Sequence, residues 1–212
     1  MMVSQPPIDF EFWAKEYAKM YLPIKYRDEE GKPTLERSPY FESISKVIQK
    51  RGHLLKEEFQ SIYTWKTKRR TSTFRTDDKE EIRKITAKVI SEHPDPARQI
   101  WELTQLPGVG LRVASAILTV IFPKDYCILD YRTWKSLLWI AAYSFTYGEN
   151  YLEFSKTIDR SLNYASLDCY LHYYLEEIRG LADKYSLTPR MIEMALWAYD
   201  KKEGSTPRAL HL

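Results

Sequence analysis

The run Leu106-Pro107-Gly108-Val109-Gly110-Leu111-Arg112-Val113-Ala114 sets two glycines on either side of a valine, with a proline before them and an apolar segment behind. Glycine has no Cβ, so it can adopt positive φ and let another group come close to the backbone. Two helices joined by such a turn form a helix-hairpin-helix. The turn ends where the second helix begins, and the unpaired N–H groups and helix dipole there favour an anion. A nucleic-acid phosphate suits that position and would be held without regard to base sequence. A bare Gly-X-Gly is read more simply as a tight connection that lets two helices approach. The full Leu-Pro-Gly-Val-Gly run with an apolar helix after it favours the phosphate.

Outward from the turn, helical periodicity continues almost everywhere. With only 7 glycines in 212 residues, it predicts an all-α protein of about nine to ten helices. Upstream, Asp95-Pro96 reads as a cap plus first-turn proline, opening a helix that passes Trp101 and Leu103 into the turn. Asp77 with Glu80 reads as a capping box for a helix from Lys79 to His93. Further upstream, helices are expected at Phe10 to Tyr21, Tyr40 to Lys50 (stopped by Gly52) and Leu55 to Trp65, with a charged, loop-like connection from Leu22 to Pro39. Downstream, Leu111 to Phe122 is apolar nearly all round and should be the buried centre. Pro123 ends it, and Ile128-Leu129-Asp130 leads into a helix from Tyr131 to Tyr143. Later helices are expected near Asn150 to Leu162, at Leu167 to Lys184 behind a Ser166 cap, and at Pro189 to Lys202 between Thr188 and Gly204.

The formal net charge of +3 permits a nucleic-acid partner without demanding one. The 14% aromatic content, with 16 Tyr and 6 Trp, is core filler first and a base-stacking resource second. Cys127 and Cys169 lack the spacing of a zinc or iron–sulfur site, so no metal centre is expected and the thiols read as buried side chains. The four histidines are scattered without ligand spacing. No apolar run approaches the ~18 residues of a membrane span, and Met1 to Asp9 lacks the pattern of a signal peptide. A reducing, cytoplasmic setting is the expectation, nucleoid-associated in a prokaryote.

The hairpin at Leu106 to Ala114, followed eighteen residues after Arg112 by Asp130, resembles the helix-hairpin-helix DNA glycosylase superfamily. Members carry a hairpin of the form LPGVGxK and then an aspartate at the start of a helix. The likeness is close over about Gln105 to Leu137 and extends as helix order back to Ser43. It implies a two-lobed helical fold with the hairpin and Asp130 at the cleft between the lobes. One lobe would span about 40–137 and carry the hairpin; 8–22 and 145–204 would pack as the second. It also implies double-stranded DNA as partner, a monomer, and Asp130 as the catalytic carboxylate.

Three departures from that pattern matter. The family reads Val-Asp-Thr-His-Val where this chain has Leu129-Asp130-Tyr131-Arg132-Thr133. Two cysteines cannot build the four-cysteine iron–sulfur loop of some members. Arg112 occupies the position of the lysine that gives bifunctional members their lyase activity, and a guanidinium does not form a Schiff base. The expectation is therefore a monofunctional DNA N-glycosylase acting on a flipped modified base. Asp130 would orient a water or stabilise oxocarbenium-like charge at C1′. The plain alternative for Asp130 is an N-cap of the helix that begins at Tyr131, and the alternative for the protein is a non-catalytic helix-hairpin-helix DNA-binding module.

Gly108, Val109 and Gly110 are the candidate backbone anchors. Lys66, Lys68, Arg69 and Arg70 belong to the densest positive run and could extend the phosphate-facing surface, or could simply be a solvated loop. Trp65, Tyr131 and Trp134 are the candidates for a base pocket, with core packing as the alternative for each. No cofactor is expected, although a monovalent or divalent cation at the hairpin is compatible with the turn.

Overall fold

The computed structural model describes residues 8–67, 78–92, 94–143 and 165–204. The chain divides into two units, one continuous (Met20–Ile128) and one split (Met1–Lys19 with Leu129–Leu212). Both are built mainly of helices, and the described residues are all-α apart from one two-stranded ribbon.

The continuous unit opens with that ribbon. Strands β1 (Ile24–Arg27) and β2 (Pro33–Glu36) pair antiparallel, Ile24 opposite Glu36 and Arg27 opposite Pro33. The sequence reading expected a loop here. The ribbon forms because Asp28 Oδ1 accepts the amides of Glu30 (3.0 Å) and Lys32 (2.8 Å) while Gly31 takes φ 79°, which closes the turn. The strands are only four residues long and charged, too short to show a period of two. Glu36, buried, then accepts the amides of Ser38 and Ile44 (both 2.9 Å) and leads the chain into α2 (Glu42–Arg51), which stops at Gly52 with φ 79°.

Helix α3 (Lys56–Lys66) is tied at its start by Glu58. This buried carboxylate accepts the Leu55 amide (2.9 Å) and the Arg27 amide (3.0 Å) and pairs with the Arg51 guanidinium. Helix α4 (Lys79–Ser91) is capped by Asp78, which takes the amides of Glu80 and Glu81. The cap is thus one residue later than the expected Asp77, which lies outside the described residues. Asp95 caps α5 (Pro96–Thr104) through the Arg98 amide, as its Asp-Pro pair predicts. Helix α6 (Leu111–Ile121) is buried without interruption from Val113 to Ile121 and is the centre of this unit. Ser45 donates to the Ile121 carbonyl at 2.7 Å, pinning α2 against its end.

In the split unit, α1 (Phe10–Ala18) and α7 (Tyr131–Tyr143) both pack against the last helix, α9 (Pro189–Glu203). Trp13 meets Tyr199 edge-on at 5.5 Å, Tyr17 meets Trp197 at 5.2 Å, and Ser136 donates to the Leu196 carbonyl at 2.9 Å. Helix α8 begins at Leu167–Cys169 behind a Ser166 cap, widens into a π-helical turn at Tyr170–Tyr174, and resumes as Leu175–Tyr185. Thr188 and Pro189 start α9 and Gly204 ends it with φ 66°.

The unit boundaries differ from those expected. Residues 20–39 join the hairpin unit because the ribbon packs on α3, where the Lys25 amide donates to Ser61 Oγ at 2.8 Å. Tyr131–Tyr143 leaves that unit because its buried face is spent on α9. The expected helix at Asn150 to Leu162 lies outside the described residues. No described helix is long and apolar enough to cross a membrane. Both cysteines are buried free thiols.

Candidate functional site

The hairpin turn hangs from the end of α5. The Leu106 amide bonds to the Leu103 carbonyl (3.2 Å) and the Val109 amide to the Leu106 carbonyl (3.0 Å). Gly108 takes φ 84°, a conformation that L side chains rarely adopt. Leu106 and Val109 plug the turn into the core, and the buried Tyr63 of α3 donates its hydroxyl to the Gly108 carbonyl at 3.3 Å. A phenol two turns into a helix gives no sequence signal that it braces a distant loop.

Gly110 is the N-cap of α6, with φ −100° and ψ 175°, and no side chain caps that helix. Its backbone is one that any residue adopts, and a Cβ built there meets nothing within 4 Å. The fold itself therefore does not require a glycine at 110. Arg112 is exposed on the first turn of the same helix.

Asp130 belongs to the split unit and directly precedes α7. It is half-buried, its Oδ1 accepts the Arg132 amide at 3.0 Å, and its own amide donates to the Tyr174 hydroxyl at 3.3 Å. The first contact is an N-cap, as the plain reading of this residue expects. Tyr174 comes from the π turn of α8 and is sandwiched between Trp134 (6.2 Å) and Tyr170 (5.8 Å). Single π turns inside α-helices recur at functional positions. Here the turn places a phenol beneath the aspartate.

Three further residues around Asp130 were not anticipated. Asp200, fully sequestered at the side chain, holds Arg132 Nη1 at 2.7 Å and Lys135 Nζ at 2.6 Å, one on each carboxylate oxygen. Arg190 and Glu193 are 0% and 2% exposed and bonded to each other. Their (i, i+3) spacing reads the same on a buried face as on a wet one. Arg190 also donates to the Tyr17 hydroxyl at 3.2 Å and lies 5.0 Å over its ring. Burial raises the Tyr17 pKa, opposed by Arg190 and reinforced by the charges of Glu193 and Asp130. Burial works against the Arg190 charge, but Glu193 and Tyr17 more than offset it and the group is held firmly protonated.

The candidate aromatics separate clearly. Trp134 is 6% exposed and committed to Tyr174, and Trp65 packs edge-on against Phe41 (5.8 Å) and Tyr21 (6.0 Å). Tyr131 alone of the three is open, 55% exposed, with the Lys135 ammonium 5.4 Å over its ring. Lys66 is half-buried in the last turn of α3. Lys68, Arg69 and Arg70 lie outside the described residues. Among the described residues no group of three or more His, Cys, Asp or Glu could hold a metal ion.

Comparison of the chain with family models, with curated proteins and with solved structures finds no match in any of the three.

Proposed function

We propose that this chain is a cytoplasmic, monomeric DNA-binding base-excision protein, a monofunctional DNA N-glycosylase that acts on a flipped modified base in double-stranded DNA. The observation that carries the reading is the hairpin: a positive-φ Gly108, a braced carbonyl, and a Gly110 whose missing side chain serves nothing inside the protein. The start of an apolar helix whose N-cap is a glycine without a capping side chain suits a backbone phosphate. Asp130 supplies a carboxylate for the positive charge that develops at C1′ as the N-glycosidic bond breaks. Water then adds its oxygen to C1′, and its proton balances the departing base. Arg112 contributes a fixed positive charge and no Schiff base. Tyr131 is the aromatic available to stack on an extruded base.

The second reading, a non-catalytic DNA-binding module, is favoured by one observation: Asp130 caps α7 through the Arg132 amide. Asp130→Asn separates the two, because asparagine caps about as well as aspartate while losing the charge. On a panel of damaged-base duplexes, abasic-site formation by the wild type should fall by about 100-fold or more in Asp130→Asn. Equal rates from both proteins, or no product on any duplex, remove the enzyme and leave the module. Duplex binding should weaken steeply with salt. Absent or salt-insensitive binding removes both readings.

A further inference from the structure

A cavity of about 510 Å³ lies within the continuous unit, and no hairpin residue lines it. Three elements wall it: the end of β1 with Arg27, the loop and first turn of α3 from His53 to Glu57, and the first two turns of α4 with Lys79, Glu80 and Arg83. Leu54 is its buried floor, fixed to α4 by its amide, which donates to Thr86 Oγ1 at 3.0 Å. Glu58 fixes the other two walls together by accepting the amides of Leu55 and Arg27. The cavity is therefore framed by hydrogen bonds that no ligand has to make. Tyr63, which braces the hairpin, stands eight residues further along α3 than Leu55, or roughly 12 Å of helix. The two sites are separate.

The lining is unbalanced in charge. Arg27, Lys56, Lys79 and Arg83 face two carboxylates, Glu57 and Glu80. Glu80 lies 3.8 Å from Arg83, and both Glu57 and Glu80 are exposed. Glu58 is already occupied by Arg51 and two amides, so it offers the cavity no compensation. A cluster of cations around a preformed concavity, over an apolar floor of Leu54 and Leu55, fits a ligand with a dianionic head and an apolar, planar body. Guanidinium and ammonium groups favour phosphate oxygens, and the volume is of the size that holds a small organic ligand.

The geometry points to a nucleoside phosphomonoester as the occupant of this cavity, its phosphate among Arg27, Lys79 and Arg83 and its nucleoside over Leu54 and Leu55. The shared chemistry has two sources, a free nucleotide or the 5′-phosphorylated end of a strand. The site stands apart from the glycosylase reading and is tested without it. His53 supports it as a reporter: burial holds the imidazole below its ordinary pKa, with Arg51 and Arg83 adding to the effect and the Arg51 backbone and Glu58 opposing it. A bound phosphate cancels part of that positive field, so His53 should titrate higher in the complex.

The test is calorimetric titration of the full chain with thymidine 5′-monophosphate, thymidine, and a trinucleotide with and without a 5′-phosphate. The nucleotide should bind saturably and about tenfold or more tighter than thymidine. Lys79→Ala/Arg83→Ala, at two exposed positions of α4, should weaken it by about tenfold or more. Arg179→Ala/Lys184→Ala removes the same charge from the split unit and should leave the affinity within about twofold. A phosphorylated trinucleotide that binds tighter than the nucleotide assigns the site to strand ends; equal or weaker binding assigns it to free nucleotides. Nucleotide and thymidine of equal affinity, an Lys79→Ala/Arg83→Ala variant that matches the wild type, or a His53 titration unmoved by saturating nucleotide overturns the proposal. So does the lack of binding by both nucleotide and phosphorylated trinucleotide.

Discussion

Replacing Glu193 with glutamine removes one negative charge from the interior of the split unit and almost nothing else. The side chain keeps its length and an oxygen that Arg190 can bond. Arg190 is fully buried, and its contacts beside Glu193 include the Tyr17 hydroxyl at 3.2 Å and the Tyr17 ring at 5.0 Å, neither of which carries a charge. A buried guanidinium left without its counter-ion costs about 3–5 kcal/mol, whereas replacing both members of a buried pair by well-packed apolar residues is often neutral or stabilising. Glu193→Gln should therefore lower stability by about 3–5 kcal/mol, and Arg190→Met/Glu193→Leu should recover most of that loss. Urea denaturation followed by tryptophan fluorescence measures both, since Trp134 and Trp197 belong to the same unit. A loss below about 1 kcal/mol in Glu193→Gln, the range of an exposed pair, would show that water reaches Arg190 and would refute the argument. A double variant worse than the single one would show that the site needs the pair for its shape.

Other perturbations test the hairpin and the core. Gly108→Ala must place a Cβ at φ 84° and should cost about 1–2 kcal/mol. Gly110→Ser should behave oppositely: the Cβ has room and serine caps α6, so stability holds or rises by a few tenths of a kcal/mol, while under the proposed function DNA binding weakens because the cap occupies amides that would hold phosphate. Binding unchanged in Gly110→Ser would disprove the role of those amides. Tyr63→Phe removes the hydroxyl that braces Gly108 and should cost about 0.5–1.5 kcal/mol in thermal denaturation; an unchanged melt would mean the turn holds itself. Burial pushes the Cys169 thiol up from 9.0 to about 11. A raised folded pKa gives stability that is complete below the unfolded value and is lost as pH rises through the folded one. The urea midpoint should accordingly hold until about pH 9 and then fall towards pH 11, with the raised phenols of Tyr17, Tyr185 and Tyr199 acting in the same direction. A flat midpoint across that range would contradict the burial of these groups.

Helix ends were legible in the sequence wherever one residue decides them. Asp95-Pro96, Thr188-Pro189, Gly52 and Gly204 each act within a single turn, and each stands where its local chemistry predicts. The apolar run of α6 announced its own burial. The ribbon at Ile24–Glu36 did not, because its stability comes from an aspartate turn and from docking on α3 rather than from a strand period. The units were misdrawn for a similar reason: α7 follows the hairpin closely in sequence, but its buried face is claimed by α9, sixty residues on. At the candidate site, the glycines were readable because turn chemistry is local. The loss of Trp65 and Trp134 to packing, the support of Asp130 by Tyr174, and the burial of Arg190 with Glu193 all depend on neighbours distant in sequence.

The split unit also sets an order of events. Helix α1 is complete early in synthesis, yet the surface that covers it belongs to α9, whose first residue comes about 170 positions later. At ribosomal speeds of about 5–20 residues per second, Phe10, Ala14 and the Tyr17 ring wait on the order of 10–30 seconds for their partners. The continuous unit has no such delay, since every strand and helix it contains is made between residues 20 and 128. A nascent chain stalled shortly after residue 128 would thus present a finished set of hairpin elements beside an amphipathic α1 with nowhere to dock, a natural target for a chaperone.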